Sequence, residues 1–186
     1  MARAKSKSER SGDSQDAIAL LKADHRQVEE WFEEFCEGPD DDRKQELATQ
    51  ICNALKIHTT IEEEIFYPAF LQATDDLKLH HEAEVEHNGA KKLIAEIEGS
   101  SPDDEYFDAK VTVLFEMIKH HVKEEEKVGG MFSEARKSEM DLEALGAQLA
   151  ARKADLEGEG AEDDDVPPSG GKMERSEVER MMKETR

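Results

Sequence analysis

The chain has 186 residues, of which 37% are hydrophobic and 38% are charged, and its formal net charge is −21. This composition suits one domain of slender amphipathic helices with solvated ends. An acidic surface repels nucleic acid and anionic membranes, so neither is an expected partner. No apolar run approaches the roughly 20 residues of a membrane span and no signal-peptide pattern opens the chain, so the expected location is the cytoplasm.

The first predicted helix runs from about Asp13 or Ser14 to Cys36 and stops at Gly38-Pro39. Apolar residues recur along it at intervals of three or four, which places them on one face of a helix. This stripe comprises Ala17, Leu21, His25, Val28 and Phe32. His25 is therefore expected to point inward with the apolar side chains.

The second predicted helix begins at the acidic cap Asp40–Asp42 and carries His58 and Glu62. These two residues are four positions apart, so the imidazole and the carboxylate lie on the same face of the helix. That face continues an apolar stripe formed by Ile51, Leu55 and Ile65. Pro68 removes a helical hydrogen bond and predicts an end or a kink, with Ala69–Ala73 as a short continuation.

The third predicted helix starts around Thr74 or Asp75 and reaches Glu98. Its inner side is less cleanly apolar than those of the other helices. That side carries Leu77, His80, Glu84, His87, Ile94 and Ile97. Histidine again occupies the inner stripe, most securely at His87, which apolar residues follow.

The fourth predicted helix ends at Gly129-Gly130 and offers two competing registers. In the first, His120 and Glu124 would share a partly polar face. In the second, His121 and Glu125 share a more apolar face with Val111, Leu114, Ile118 and Val128. We therefore assign the inward pair to His121 and Glu125.

The remaining segments lie before and after the four predicted helices in the sequence. Residues 131–157 form a further helical stretch with leucines at intervals, expected as a fifth element on the outside of the bundle. Residues 1–12 indicate a disordered arm, and residues 158–186 an acidic linker followed by a short possible helix over 172–186. The predicted fold is all-α: an up-down four-helix bundle over residues 13–157 with an additional C-terminal helix and disordered tails.

The two cysteines do not indicate a disulfide. Cys36 ends the first predicted helix and Cys52 lies about three turns into the next, so in an antiparallel hairpin they are on the order of 15 Å apart. Neither belongs to a Cys-x-x-Cys pair, and two ordinary thiols in a reducing compartment are expected.

Two inward carboxylates, Glu62 and Glu125, need positive partners, because burying an uncompensated carboxylate costs several kcal/mol. Four helices each place a histidine on the inner stripe, and two of them carry a glutamate one turn later. A single inward histidine is more often a hydrogen-bonded core residue, but the repeated pattern indicates a metal site. Imidazole and carboxylate ligands together suit iron, manganese or zinc. One zinc ion would need only about four of these groups, so the surplus favours a dinuclear iron site in the bundle interior.

Four short stretches carry a resemblance to a known family. They are Ala23-Asp24-His25-Arg26, the segment His58–Pro68, Glu86-His87 ahead of Lys92-Leu93-Ile94, and His120-His121-Val-Lys-Glu124-Glu125-Glu126. Over roughly residues 14–135 the chain resembles the hemerythrin-like family of HHE cation-binding domains. The resemblance implies an up-down four-helix bundle with a non-haem centre of two iron ions joined by an oxo or hydroxo bridge. It also implies terminal ligands and two bridging carboxylates, which would be His25, His58, His87 and His121 with Glu62 and Glu125.

The third helix departs from the oxygen carriers of this family, which have two histidines one turn apart there. His80 lies seven residues before His87, about 10 Å along the axis, which is a long reach for one compact centre. Glu84 is better placed, although an exposed carboxylate outside the ligand set is the favoured interpretation. His80 and Glu84 are therefore possible additional ligands. Tyr67 could approach the centre from the end of the second helix, but core packing is favoured.

The predicted function is a non-haem di-iron protein that binds or reacts with oxygen, nitric oxide or peroxide, or holds iron. A ligand set poorer in histidine leaves open positions on iron, which disfavours reversible oxygen carriage. One alternative is a peroxide-decomposing, catalase-like enzyme in which a nearby carboxylate relays protons. Another is a structural bundle whose buried ion stabilises the fold. No Walker, Rossmann or nucleophile-elbow pattern indicates a different enzyme class, and no protein partner is identified.

Overall fold

The computed structural model describes residues 16–163, with the side chains of residues 16–159. Its helical elements are α1 (Ala17–Cys36), α2 (Asp41–Ile61), a π-helical turn (Glu62–Phe66), α3 (Tyr67–Thr74), α4 (Leu77–Glu98), α5 (Phe107–Glu126), α6 (Met131–Lys137) and α7 (Leu142–Asp163). The all-α prediction is confirmed, since no strand occurs within these residues. In the same range no helix combines the length and the apolar character needed to cross a bilayer. The predictions for residues 1–12 and 172–186 lie outside the described residues.

The four long helices α1, α2, α4 and α5 form the bundle. α1 packs against α2 and α5, and α4 packs against the same two helices, so the four close a ring around one core. The chain passes from each helix to its neighbour, which gives the up-down order that the sequence predicts. All four helices contribute to the apolar interior, which includes Phe32, Ile51, Ile94 and Leu114.

Aspartate side chains begin three of these helices. Asp16, Asp40 and Asp76 each accept a hydrogen bond from the backbone N–H three residues later. Such caps satisfy N–H groups that have no partner within the helix itself. The cap of the first helix is therefore Asp16, where the sequence predicted Asp13 or Ser14.

The chain stays helical through Pro68, where the sequence predicts an end or a kink. Glu62–Phe66 forms a π-helical turn that is closed by a hydrogen bond from the Tyr67 N–H to the Glu62 carbonyl, and α3 follows directly. Pro68 lies in the first turn of α3, where its missing N–H is tolerated. A π turn holds one residue more than an α turn, so it changes the directions of the side chains that follow. Helix α3 ends at Thr74, and the next residue, Asp75, caps it with a left-handed φ of 55°.

The C-terminal helical stretch is divided into α6 and α7, whereas the sequence predicts one element over residues 131–157. Side chains at the junction bond the backbone and end the helix there: Ser138 Oγ accepts from the Met140 N–H, and Asp141 accepts from the Ala144 N–H. The break lets α7 start in a new direction.

Helix α7 provides the predicted additional C-terminal helix. Leu145 and Leu149 are buried, as the leucine spacing indicates. The helix continues to Asp163, so the predicted linker start at residue 158 lies inside it. The compact unit that contains the bundle ends at Ala154.

Two apolar residues assigned to inner stripes are exposed instead. Leu77 is 55% exposed and Val128 is 95% exposed. Leu77 is the first residue of α4, and Val128 lies beyond the last residue of α5. Both stripes were therefore extended past the ends of the helices that bury them.

Gly130 lets the chain turn sharply from α5 into α6. A Cβ atom at this position would lie 2.2 Å from the carbonyl oxygen of Glu124, a distance that no side chain tolerates. The turn brings α6 over the inner residues of the bundle, where the Phe132 ring stacks on the His25 ring at 5.8 Å between centroids. The Gly129-Gly130 helix stop is confirmed, and its physical reason is this close approach.

Candidate metal centre

Six predicted ligands meet in the bundle interior, where each is at most 5% exposed. Each of the helices α1, α2, α4 and α5 supplies one histidine, and two glutamates complete the group. In chain order the four histidines are His25, His58, His87 and His121, and the glutamates are Glu62 and Glu125. The fourth helix adopts the register that the apolar stripe favours. The side chain of His121 is 5% exposed, whereas that of His120 is 65% exposed.

The four histidines form two pairs. The Nε2 atoms of His25 and His58 are 3.1 Å apart, and those of His87 and His121 are 3.3 Å apart. Two ligand atoms that bind one ion at about 2.1 Å lie roughly 3.0–3.4 Å from each other at octahedral or tetrahedral angles. Each pair therefore has the spacing of two neighbouring ligands on one ion.

The two glutamates link the pairs. Glu62 places Oε1 3.3 Å from His58 Nε2 and Oε2 3.4 Å from His87 Nε2. Glu125 Oε2 lies 3.5 Å from the Nε2 atoms of both His25 and His121. Each carboxylate thus contacts one histidine of either pair, and Glu62 belongs to two groups that could each hold an ion.

Two carboxylate oxygens in this cluster test whether a cation fits. Glu62 Oε1 and Glu125 Oε2 are inaccessible to solvent and have no hydrogen-bond partner among the residues described. Leaving such atoms unsatisfied costs free energy, more for a charged group than for a neutral one. A cation between the histidine pairs would satisfy both oxygens, so the donor set fits a metal.

An outer carboxylate faces the Nδ1 atom of each inner histidine. The distances are 2.9 Å for His25 with Glu126, 3.5 Å for His58 with Asp24, 2.9 Å for His87 with Glu63 and 2.8 Å for His121 with Glu86. A carboxylate at Nδ1 orients the ring and leaves Nε2 free to act as a ligand. All four rings therefore present Nε2 to the same space.

Sequence reasoning missed these outer carboxylates. The sequence indicates two of them in part, because Glu63 and Glu126 directly follow the inward glutamates. On a helix, the next residue places its side chain on an adjacent side of the same turn. Basic residues hold three of the four in place, and Lys22 contacts Glu126 at 3.0 Å. Lys91 contacts Glu63 at 2.6 Å, and Lys153 of α7 contacts Asp24 at 2.5 Å.

The charges of the inner cluster are strongly shifted. Burial and the neighbouring Glu62 carboxylate raise the pKa of Glu125 to about 8. Burial also raises the pKa of Glu62, but His58 and His87 outweigh it and hold that pKa below its ordinary value. Burial lowers the pKa of His25 to about 4. Two buried carboxylates so close together therefore keep a proton at neutral pH, unless a cation replaces it.

Tyr67 enters the cluster, which corrects the packing role favoured from the sequence. Its hydroxyl lies 3.1 Å from Glu125 Oε1, 3.3 Å from Glu62 Oε2 and 3.1 Å from His87 Nε2. Burial and the two carboxylates raise the pKa of this phenol, so it stays protonated and donates a hydrogen bond. The direction of Tyr67 depends on the π-helical turn between it and Glu62, which the sequence pattern did not reveal.

The two possible additional ligands do not join the inner cluster. The side chain of Glu84 is 50% exposed and lies 3.7 Å from His80 Nδ1. With His81 these residues form a separate group near the start of α4. Ala83, one turn before His87, is the buried residue on this part of the inner face.

Two cavities adjoin the inner cluster. A pocket of about 360 Å³ between α4 and α5 is lined by Ala83, Glu86, His121, Glu125 and Met131, among others. A second cavity of about 20 Å³ touches all four inner histidines and is otherwise lined mainly by apolar side chains, including Val28, Leu55 and Ile118. The first reaches the cluster from the surface, and the second has room for about one water-sized molecule.

Known proteins resemble this chain in sequence and in fold. The family model described as "Hemerythrin HHE cation binding domain" matches residues 16–131, which are more than half of the chain. The chain belongs to the hemerythrin HHE cation-binding family. The resemblance seen in the sequence motifs is confirmed, and the HHE domain binds cations. The buried histidines and glutamates all fall within the matched residues.

Two relatives give more distant comparisons. A protein of Nostoc sp. named "DNA nickase" is 30% identical over 110 residues, which are 58% of this chain and 30% of that protein. This chain therefore spans less than a third of the length of that relative. The crystal structure of a hemerythrin HHE cation binding domain-containing protein from Mycobacterium kansasii is 23% identical. It matches 79% of this chain and 90% of its own with a TM-score of 0.65, which supports the shared fold.

Proposed function

We propose that the chain holds two iron ions, one at each histidine pair, with Glu62 and Glu125 shared between them. The observation that carries this proposal is the double link, in which each glutamate lies 3.3 to 3.5 Å from one histidine of either pair. The four histidines would then be terminal ligands, and the two glutamates would be shared between the ions. Six donors exceed what one zinc ion takes, which favours a dinuclear iron centre.

Such an iron pair supplies electrons that can be exchanged with a small ligand. The surrounding side chains limit what that ligand can be. The cavity of about 20 Å³ beside the imidazoles has apolar walls at Leu55 and Ile118, so an ion would lose its hydration there. We infer that the ligand is small and uncharged, as oxygen, nitric oxide and hydrogen peroxide are.

Two features favour reaction over reversible oxygen carriage. Neither Ala83, one turn before His87, nor Lys91, one turn after it, is a histidine, so α4 lacks the histidine pair that the oxygen carriers of the family have. Tyr67 supplies a hydroxyl that hydrogen-bonds both shared carboxylates. A metal ion held here would have fewer histidine ligands than in the oxygen carriers and a hydrogen-bond donor beside it, which would suit the reduction of peroxide or nitric oxide.

The decisive experiment is the iron content of protein purified without a metal-chelating tag, with its absorption spectrum before and after nitric oxide or peroxide. About two irons per chain and near-ultraviolet charge-transfer bands that respond to these ligands would support the proposal. One zinc ion and a silent spectrum would contradict it and favour a structural ion that only stabilises the bundle.

A second candidate is the decomposition of hydrogen peroxide, in which two peroxide molecules give two water molecules and one of oxygen. The pocket of about 360 Å³ favours it, because Glu86 and Glu124 line a path from the surface to Glu125 and can pass protons. Peroxide added to the iron-loaded protein would then evolve oxygen, and His58→Ala would abolish the evolution. A spectral change without oxygen release would leave ligand binding as the function.

The name of the Nostoc relative is not extended to this chain. The match covers 30% of that protein, and a net charge of −21 opposes the approach of DNA. We infer instead that the partners are small molecules, with neither nucleic acid nor membrane among them. The two free cysteines fit a reducing compartment, so we infer the cytoplasm as the location.

A further inference from the structure

A second group of metal-binding side chains lies outside the inner cluster. His80, His81 and Glu84 each offer a ligand atom, and these atoms lie within 4.8 Å of one another. Two ligands on opposite sides of one ion are about 4.2 Å apart, so small rotations of the exposed side chains would bring all three to a cation. Imidazole and carboxylate donors suit divalent iron, manganese and zinc.

His80 lacks the support that the inner histidines have. Its Nδ1 atom is inaccessible to solvent and has no hydrogen-bond partner within the described part of the chain. The nearest carboxylate oxygen, Glu84 Oε2, is 3.7 Å away, beyond hydrogen-bond distance. An imidazole nitrogen that is buried and unpaired requires an explanation, and a bound cation would provide one.

This group borders a pocket that leads toward the inner cluster. The pocket has a volume of about 230 Å³ and is lined by Glu63, Tyr67, His80, Glu84 and Asn88, all of them polar. Because Lys91 already neutralises Glu63, Glu84 is the carboxylate that supplies negative charge for a cation.

A single aromatic ring separates the pocket from the inner histidines. The Tyr67 ring meets the His80 ring edge-on at 6.0 Å between centroids and stacks on the His87 ring at 5.3 Å. Its hydroxyl contacts both shared glutamates. Rotation of one side chain would therefore connect the outer group to the inner one.

We propose that His80, His81 and Glu84 bind a divalent cation and pass iron to the inner centre around the Tyr67 side chain. The binding part stands on the outer residues alone, whereas the transfer part rests on the proposed function. The outer group is then an entry point that captures Fe²⁺ from solution. It holds the ion only weakly, because three ligands leave the remaining positions to water.

Binding is tested in the full chain as purified, by the effect of substoichiometric Mn²⁺ on the histidine NMR signals. Paramagnetic Mn²⁺ at the outer group would broaden the His80 and His81 ring signals before that of His120, an exposed histidine on another helix. Equal broadening of all three signals, in protein whose inner centre is already filled, would overturn the proposal.

Transfer is tested by the rate at which metal-free protein removes limiting Fe²⁺ from solution under argon. The variant His80→Ala/Glu84→Ala should take up iron at least fivefold more slowly and reach the same final content. Glu82→Ala, which removes an exposed carboxylate of the same helix, is the matched control and should load at the wild-type rate. An unchanged rate of iron uptake in the double variant would refute the transfer. A lower final iron content would also refute it, because these residues would then belong to the inner centre. A wild-type chain that loads no iron would instead contradict the proposed function.

Discussion

His25 and His58 face each other with their Nε2 atoms 3.1 Å apart, although 33 positions separate them in the sequence. Carboxylates accept hydrogen bonds and cannot donate them, so Glu126 and Asp24 fix the proton of each ring on Nδ1. The two Nε2 lone pairs then point at the same space and need a proton or a cation between them. Burial opposes that proton, but Glu62 and Asp24 outweigh it and raise the pKa of His58 to about 10.

Removing the metal should therefore destabilise the bundle. A cation bound only by the folded state, at about 100 times its dissociation constant, adds about 2.7 kcal/mol to the free energy of unfolding. For a chain of this size the melting temperature should fall by roughly 5–10 °C after chelation. Differential scanning calorimetry of loaded and metal-free protein checks this, and returning iron should restore the higher value. Equal melting temperatures would mean that the cluster binds no metal in the folded state.

Replacing either shared carboxylate should remove most of the iron. Glu62→Ala and Glu125→Ala each take a ligand from both ions, so more than half of the bound iron should be lost, as measured by elemental analysis. The control is Glu64→Ala, which lies in the same π-helical turn but points outward to Arg152. Full iron occupancy in either inner variant would disprove the bridging assignment.

The outer carboxylates should tune affinity without being ligands. Glu86 lies 2.8 Å from His121 Nδ1, so Glu86→Ala should let the ring turn and lower iron affinity about 10- to 100-fold. Competition with a chelator of known affinity measures the change. Glu82→Ala removes a charge from the same helix without touching an inner histidine and should leave the affinity within about twofold. An affinity unchanged in Glu86→Ala would show that helix packing alone orients His121.

The two thiols should differ sharply in reactivity. Burial raises the pKa of Cys52 to about 12, so at pH 8 only about one molecule in 10⁴ carries the reactive thiolate, whereas Cys36 is exposed. A disulfide reagent should therefore modify one thiol quickly in the native protein and both in denaturant. Cys36→Ser should abolish the fast phase. Two fast thiols in the wild type would contradict the burial of Cys52 between α2 and its neighbours.

Truncating a buried side chain on the inner face of α5 should destabilise the protein, whereas truncating the residue before it should have little effect. Leu114 is fully buried, so Leu114→Ala should lower the free energy of unfolding by roughly 2–5 kcal/mol in urea titrations of the metal-free protein. Val113 is 53% exposed, and Val113→Ala should change it by about 0.5 kcal/mol or less. Similar losses in both variants would argue against the orientation of this helix.

The apolar spacing of the sequence was sufficient to predict the four long helices and the six buried histidines and glutamates of the inner cluster. His121 was separated from His120 because a helical period of 3.6 residues determines which side chain shares the face of Leu114. The same spacing placed His80 on the inner stripe with His87. It could not show that the two rings lie on opposite sides of Tyr67, because that depends on how α3 meets α4.

Other parts of the site depend on features that periodicity does not encode. The outer carboxylates belong to helices other than those of the histidines they contact, so only the packed bundle reveals the pairs. Tyr67 was assigned to core packing, and the sequence gives no sign of the π-helical turn that precedes it. The π turn adds one residue there and aims the hydroxyl into the cluster.

The π-helical turn also makes the two halves of the centre unlike. It follows Glu62, whereas α5 ends one residue after Glu125. Tyr67 consequently lies beside His87, while the ring stacked on His25 is the apolar Phe132. Two iron ions in such unequal surroundings would differ in reduction potential.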